Sequence, residues 1–236
     1  MLLSCEEEKH SFPLEKRYWS TEDYRNANLE LNFNYESDEN LPSFKDPETR
    51  AIIEKLVDPK NYEIVLNDNE LGLKYRNNAS EEFFLQWKDM MNIYNARDLK
   101  DNYVYDEERL AVHEFGLGLQ LIYFKLGNED VIKSSDDPNS KSTKNRVNAN
   151  IDILIENFHH YLDNINEEKA YSEKGKQMMA KGIEKYFIDL VKLYPKANHN
   201  STLRKIDLMH KKSNSEEIKA SLKKLKEVIN SYSASK

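Results

Sequence analysis

The scarcity of glycine and proline is the feature that most constrains the fold, because each occurs only six times in 236 residues. A β-sandwich or barrel needs many tight turns, and tight turns depend on those two residues. Fourteen tyrosines and nine phenylalanines also exceed what a disordered chain carries. We therefore expect a mainly α fold, a multi-helix globular domain with polar loops.

One short segment departs from the helical pattern. Residues 62–66 and 71–75 are β-leaning runs that flank the polar stretch 67–70. Two such runs around a four-residue turn are typical of a hairpin. We predict one small β-hairpin over residues 62–75, packed on the helices because an isolated hairpin is only marginally stable in water.

Start and stop signals divide the rest into helices. Asp46-Pro47 is typical of a helix start, and Asp58-Pro59 is expected to end that helix. Ser80 is predicted to cap the next helix, whose large apolar residues recur at the three- and four-residue spacing of a buried face. Those residues are Phe83, Phe84, Trp87, Met90, Met91 and Tyr94. Core packing is the expected role of this stripe, and a partner groove is the alternative.

A helix opening at Asp106 is predicted to be the central one. Its apolar residues surround the helix axis, as in a helix that is buried on all sides. Gly116 and Gly118 each cost nearly 1 kcal/mol inside a helix, so we expect a neighbouring helix to approach closely there. Gly127 is expected to end the helix after Leu126.

The domain organisation follows from these elements. Residues 6–45 are rich in aromatics without a clear period, which predicts an extended arm lying on the domain, with a short helix near Thr21 to Leu31. Residues 46–236 are predicted to form a single helical domain. Its last helix is amphipathic and rich in lysine.

The net charge of −7 is unevenly distributed. Residues 196–236 carry ten Lys or Arg and four Asp or Glu, a balance of +6, which leaves −13 for residues 1–195. An acidic body does not attract phosphate backbones, so we expect no nucleic acid partner. A basic protein surface would suit it better, although an acidic surface that is simply solvated is the commoner case.

The single cysteine lies beside the N-terminus, in Leu2-Leu3-Ser4-Cys5, and is followed by three glutamates. This resembles the lipobox of bacterial lipoproteins, and the acidic run resembles the export tag of Bacteroidota surface lipoproteins. The resemblance covers four residues and implies that Cys5 is lipidated. Residues 1–5 would then be the remnant of a lipoprotein signal. The body would be anchored at the outer membrane, facing the periplasm or the cell surface.

The patterns that carry catalytic or metal chemistry are incomplete. Glu156 and His159 have the spacing of half a di-iron site, but the sequence offers no second copy. His113-Glu114 resembles the start of a zinc-protease motif, but Leu117 stands where the second histidine is required. We expect no catalytic residue, metal site or cofactor site. His113 and His159 are expected to be packed histidines.

A protein-binding role fits this combination best. The first hypothesis is a non-enzymatic envelope lipoprotein that binds another protein, such as an immunity protein that neutralises a periplasmic toxin. The candidate contacts are the carboxylates in the loop and helix start at residues 98–108, since charge complementarity speeds encounter. They are Asp98, Asp101, Asp106, Glu107 and Glu108. The alternative is a ligand- or glycan-binding nutrient-capture lipoprotein, with Trp19 and Trp87 as stacking platforms.

Overall fold

The computed structural model describes residues 12–36, 40–97 and 103–234, and within these ranges every regular element is a helix. Each described helix is also too short or too polar to cross a bilayer. A 3₁₀ segment, Asn164–Ala170, follows α6, and one π turn, Ile183–Phe187, joins α7 to α8. The α-helices are α1 Thr21–Glu36, α2 Arg50–Leu56, α3 Lys60–Leu66, α4 Leu73–Arg97, α5 Asp106–Lys133, α6 Lys141–Asp163, α7 Glu173–Gly182, α8 Ile188–Leu193, α9 Asn200–Lys212 and α10 Glu216–Ala234.

The predicted β-hairpin over residues 62–75 is wrong. Residues 62–66 belong to α3, and residues 73–75 are the first turn of α4. Tyr62 and Leu66, four apart, are buried, whereas Ile64 between them is 47% exposed. That is helical spacing, and packing on α4 overrides the β preference of the individual residues because such preference depends on cross-strand neighbours.

Two helix ends also differ from the sequence expectation. Ser80 does not cap α4; it lies inside the helix, is fully buried, and donates to the carbonyl of Asn77 at 2.7 Å. Gly127 does not end α5, which runs on to Lys133. Asn128 is buried and pairs with Asn150 of α6 at 2.9 Å, so packing carries the helix past the glycine.

Helix α5 is the central element, as its all-round apolar pattern predicts. Leu110, Leu117 and Phe124 belong to a core formed with α6 to α10. Residues on the other side of α5 join an aromatic core formed with α1 to α4; they are Val112, Phe115, Leu119 and Leu126. The predicted stripe of α4 packs into this second core, which confirms core packing as its role.

The described part of residues 6–45 supplies a wall of the aromatic core. Helix α1 packs along α4, and Trp19, Tyr24 and Leu31 are each at most 1% exposed. The Tyr24 hydroxyl donates to the carbonyl of Leu56 at 2.7 Å, which ties α1 to α2. The domain core therefore draws on residues before 46 as well as after it.

The two glycines inside α5 mark close approaches, as expected from the sequence. A Cβ at Gly116 would lie 1.9 Å from the Trp87 ring of α4. A Cβ at Gly118 would lie 2.4 Å from the Tyr62 hydroxyl of α3. Both distances are far below van der Waals contact, so the two neighbours sit directly on the α5 backbone.

Candidate functional site

Three of the five carboxylates that the sequence singles out as partner contacts, those at the start of α5, are buried. Asp106 and Glu108 are 0% exposed and Glu107 is 4% exposed. Asp106 accepts from the Ser172 amide at 2.9 Å and pairs with the Lys45 ammonium at 2.9 Å. Glu107 forms an ion pair with Lys174. These side chains are not presented to a partner.

Glu108 completes this cluster by holding the loop before α2. Its Oε1 accepts from the Ser43 hydroxyl at 2.7 Å and from the Phe44 amide at 2.6 Å. Burial opposes ionisation of Asp106, but bonds from Ser172 and Lys45 hold its pKa below the usual range. Negative charge is also favoured at the start of α5 by the helix dipole. The cluster joins three segments and acts structurally, while Asp98, Asp101 and Cys5 lie outside the described residues.

A polar pocket opens on the next turns of α5. It lies among the end of α4, the start of α5 and the end of α6, and its volume is about 190 Å³. No carboxylate lines it within the described chain. We call it the Arg109 pocket, and its lining is Met91, Asn95, Arg109, Leu110, His113, His160, Asn164 and Tyr171.

Arg109 is held in the pocket wall by aromatic rings. Its guanidinium carbon lies 4.1 Å from the centroid of the Tyr103 ring and 5.9 Å from that of Tyr171. The Tyr171 hydroxyl donates to Asn164 Oδ1 at 2.8 Å, which fixes that ring in turn. A stacked guanidinium stays charged at any physiological pH and keeps its fork of donors oriented.

His113 follows one turn later on the same face of α5. Its ring packs edge-on against the Tyr161 ring, with centroids 5.0 Å apart. Burial, helped by the positive charges of Arg109 and His160, lowers the pKa of His113 to about 3. The imidazole is therefore neutral at pH 7 and offers one donor and one acceptor. His160 stands at the rim, with its side chain 68% exposed.

Glu114 lies behind the pocket, on the side of α5 that faces α7. Its Oε1 accepts a hydrogen bond from the Tyr161 hydroxyl at 2.8 Å. Burial raises the pKa of Glu114 to about 7, although the Tyr161 bond and the Lys185 charge act in the opposite direction. Tyr161 thus contacts both the neutral His113 ring and a carboxyl group that titrates near neutral pH.

The backbone around Glu114 is adapted to this pair. A Cβ at Gly182 would lie 2.1 Å from the Tyr161 hydroxyl and 2.6 Å from Glu114 Oε1, so only glycine leaves room for their hydrogen bond. The π turn Ile183–Phe187 follows immediately. Such single π turns are frequent near functional sites.

The remaining sequence candidates have structural roles. His159 is 5% exposed, and its ring nitrogens lie 3.2 Å from Glu156 Oε2 and 3.1 Å from the Thr202 hydroxyl. The contact with Thr202 joins α6 to α9. Within the described residues no three His, Cys, Asp or Glu side chains converge as metal ligands would.

Neither tryptophan is placed to stack on a ligand. Trp19 is 1% exposed, and its Nε1 donates to the Pro13 carbonyl at 2.9 Å. Trp87 lies on Gly116, and its Nε1 donates to the Val112 carbonyl at 2.8 Å. Both rings are parts of the aromatic core.

Comparisons of the chain with protein-family models, with curated proteins and with solved structures find no match. The Arg109 pocket was missed at the sequence level because its residues come from three helices and a loop. The available signal was the four-residue spacing of Arg109 and His113, which places both on one face of α5.

Proposed function

We propose that this chain is the helical body of a bacterial envelope lipoprotein that acts by binding and is held at the outer membrane by a lipid on Cys5. The resemblance of residues 2–5 to a lipobox supports the anchor, and an acyl chain contributes about 0.8 kcal/mol per buried CH₂. The ligand is a small polar molecule that occupies the Arg109 pocket, as in the nutrient-capture hypothesis.

The observation that carries the proposal is the convergence of polar groups in one small cavity. A ligand site combines a concave wall with a few oriented donors and acceptors. The Arg109 pocket has both, with Leu110 and Met91 as apolar walls. Its volume of about 190 Å³ lies below the roughly 300–1,000 Å³ of drug-sized sites, which favours a small metabolite.

A protein partner, such as the toxin bound by an immunity lipoprotein, is the competing proposal. It loses its sequence support at Asp106, Glu107 and Glu108, because buried carboxylates do not steer a partner. A toxin would have to contact another surface. Purification of the protein from its own cells distinguishes a protein partner from a small-molecule ligand.

The test is purification of the tagged full-length protein from its own cells, followed by mass spectrometry of what co-purifies. The released small molecules and the associated proteins are measured in the same sample. Arg109→Met disrupts the pocket, and Arg146→Met, an exposed arginine on α6, is the matched control. We expect one small molecule to be enriched with the wild type and the control and lost with Arg109→Met.

Recovery of a stoichiometric protein in place of a small molecule would support the toxin partner and overturn the ligand proposal. The anchor is tested separately by the intact mass of the product of the full natural gene, with and without Cys5→Ser. An unmodified sulfur in the wild-type protein would refute the lipoprotein assignment.

A further inference from the structure

We propose that the outer face of α9 lies on an anionic phospholipid surface, with Leu208 entering the headgroup layer and Arg204, Lys211 and Lys212 contacting lipid phosphates. The contact extends the proposed function and rests on it only for bringing the chain to a membrane. Everything else that the contact needs is built into α9 and the two helices beside it.

Leu208 is an exposed leucine in a cationic setting. Its side chain is 46% exposed, and the buried face of α9 is formed by Thr202, Ile206 and Met209. A single exposed leucine is common on protein surfaces, so its surroundings decide its meaning. On a helix the neighbours are the residues three and four positions before and after. All four are basic, and we call this set with Leu208 the Leu208 face: Arg204, Lys205, Leu208, Lys211 and Lys212.

The α4 helix provides the opposite case. Leu85 is 52% exposed, slightly more than Leu208. Its neighbours at the same four positions are mainly acidic: Glu81, Glu82, Lys88 and Asp89. An anionic surface would repel that face and attract the Leu208 face. The two leucines therefore form a matched pair in which only the surrounding charge differs.

The ion pairs around the Leu208 face leave it positive. Lys205 pairs with Asp163 of α6 at 2.5 Å. Asp207 pairs with Lys226 of α10 at 2.6 Å, and it also lies near Lys211. With these pairs included, five cations stand against two carboxylates, a balance of +3. The five cations are Arg204, Lys205, Lys211, Lys212 and Lys226.

Three of the cations have no carboxylate bound to them. Arg204 and Lys211 are exposed and form no hydrogen bond or ion pair with the described part of the chain. Lys212 donates to the neutral amide oxygen of Asn166 at 2.5 Å. These long side chains can reach phosphate oxygens while Leu208 lies between them, as in helices that lie in a membrane interface.

The shape of the face suits a bilayer better than a protein partner. Protein interfaces are anchored by aromatic side chains in pockets, and α9 contains no Tyr, Trp or Phe. The nearest groove lies on the α10 side, where Lys223 and Glu227 balance each other. Each basic residue strengthens contact with anionic lipid about five-fold, so a balance of +3 gives about 100-fold. That is a second signal beside an acyl chain, which sets the orientation of the body.

The test uses the full-length chain with Cys5→Ser, so that no acyl chain contributes to binding. Its probes are vesicles of phosphatidylcholine alone and vesicles of equal parts of phosphatidylglycerol and phosphatidylcholine. Co-sedimentation measures the binding of the protein to each. We expect binding to the anionic vesicles to be about 100-fold tighter. High salt should remove this difference, because it screens exposed charges.

A fluorescent label reports which face touches the vesicle. Cys5 is the only natural cysteine, so Leu208→Cys or Leu85→Cys in the Cys5→Ser chain carries one environment-sensitive dye. With anionic vesicles we expect the emission of the dye at position 208 to shift to shorter wavelength. The dye at position 85 should not respond.

Variants separate the charges from the leucine. Arg204→Gln combined with Lys211→Gln should weaken binding to the anionic vesicles about 25-fold, five-fold for each charge. Leu208→Ser should weaken it about 3- to 10-fold, because less apolar surface enters the headgroup layer. Leu85→Ser and Lys88→Gln on α4 are the matched controls and should bind like the parent. All of these side chains are exposed, so the fold should be retained.

Equal binding to the two kinds of vesicle, full binding by the double variant, or an unresponsive dye at position 208 would each overturn the proposal. Soluble polyglutamate that binds as tightly as the vesicles, with no loss in Leu208→Ser, would assign the face to an acidic protein and overturn it as well. The anchor is measured separately by the intact mass of the natural product. A bare Cys5 would leave the vesicle result standing, so the two failures are distinguishable.

Discussion

The two sides of α5 satisfy their polar atoms in different ways. On the aromatic side, several buried rings donate to backbone carbonyls, such as Tyr94 to Pro42 at 2.8 Å and Trp87 to Val112 at 2.8 Å. On the side facing α6, side chains bond to side chains. The pairs are Glu114–Tyr161 at 2.8 Å, Gln120–Asn157 at 2.9 Å and Asn128–Asn150 at 2.9 Å.

This difference separates two kinds of stabilisation. On the aromatic side, the packing of the rings provides the stability, and ring packing does not respond to pH. The pairs on the other side fix the antiparallel register of α5 and α6, because residue numbers rise on one helix as they fall on the other. A slip of one turn would leave buried polar atoms unpaired. One of these pairs, Glu114–Tyr161, also contains a carboxyl group whose pKa is raised to about 7.

The largest expected effect tests whether the two sides unfold together. Phe83 is 2% exposed in the aromatic core, and Phe158 is 0% exposed in the other core. Replacing either by alanine should lower the free energy of unfolding by about 3–5 kcal/mol. Because α5 belongs to both cores, each change should shift one common transition in urea.

The measurement compares tryptophan fluorescence with far-ultraviolet circular dichroism. Both tryptophans lie on the aromatic side, so fluorescence reports that side and dichroism reports all helices. Coincident transitions in both variants are expected. If Phe158→Ala lowers the dichroism midpoint but not the fluorescence midpoint, the two sides are independent units.

The second prediction concerns pH. Since burial raises the folded-state pKa of Glu114 from 4.5 to about 7, the folded protein keeps this proton longer than the unfolded chain. The contribution of Glu114 to stability is therefore full below about pH 4.5 and is lost as the pH rises towards 7. At pH 8 the loss should be about 3 kcal/mol.

Glu114→Gln isolates this contribution because glutamine keeps an acceptor for Tyr161 and does not titrate. Urea unfolding of both proteins at pH 5, 6, 7 and 8 should show similar stability at pH 5 and a variant that is more stable at pH 8. Parallel stability curves across that range would show that Glu114 titrates normally.

The smallest effects compare two glycines of α5. Gly116→Ala should destabilise by about 1–2 kcal/mol, because overpacking against Trp87 outweighs the gain in helix propensity. Gly127→Ala is the control, since its nearest neighbour is the Asn77 side chain at 4.0 Å. It should stabilise by about 0.5–1 kcal/mol. Changes of the same sign in thermal unfolding would contradict the close approach at Gly116.

The sequence predicts helices well where spacing and caps agree. Ser172, a residue type that favours helix starts, caps α7, with its hydroxyl accepting from the Gly175 amide at 3.0 Å. Val147, Ile151, Leu154 and Phe158 recur at a three- and four-residue spacing and lie within α6. The sequence-based prediction fails at residues 62–66. Local residue preference indicates a strand there, but contacts with residues distant in sequence stabilise a helix.

The site was harder to predict for a related reason. The acidic run at Asp106 has the sequence pattern of a charged surface. The sequence does not show that Lys45, Ser172 and Ser43, which are distant along the chain, contact these carboxylates in the fold. Arg109 and His113 carry a helical spacing that is common in any amphipathic helix. The tertiary packing places Tyr171 and His160 in the same pocket, and the sequence does not show this.

The acidic start of α5 has a consequence for how the chain is made. Glu108 binds residues about 65 positions earlier, and Asp106 binds Ser172, 66 positions later. A chain that emerges N-terminus first, from a ribosome or a translocation channel, exposes the 43–45 loop well before Glu108 arrives. Asp106 can bind the Ser172 hydroxyl only after residue 172 has also emerged. The 43–45 loop therefore lacks its partner until residue 108 has emerged, and a product truncated before residue 172 would leave Asp106 without Ser172.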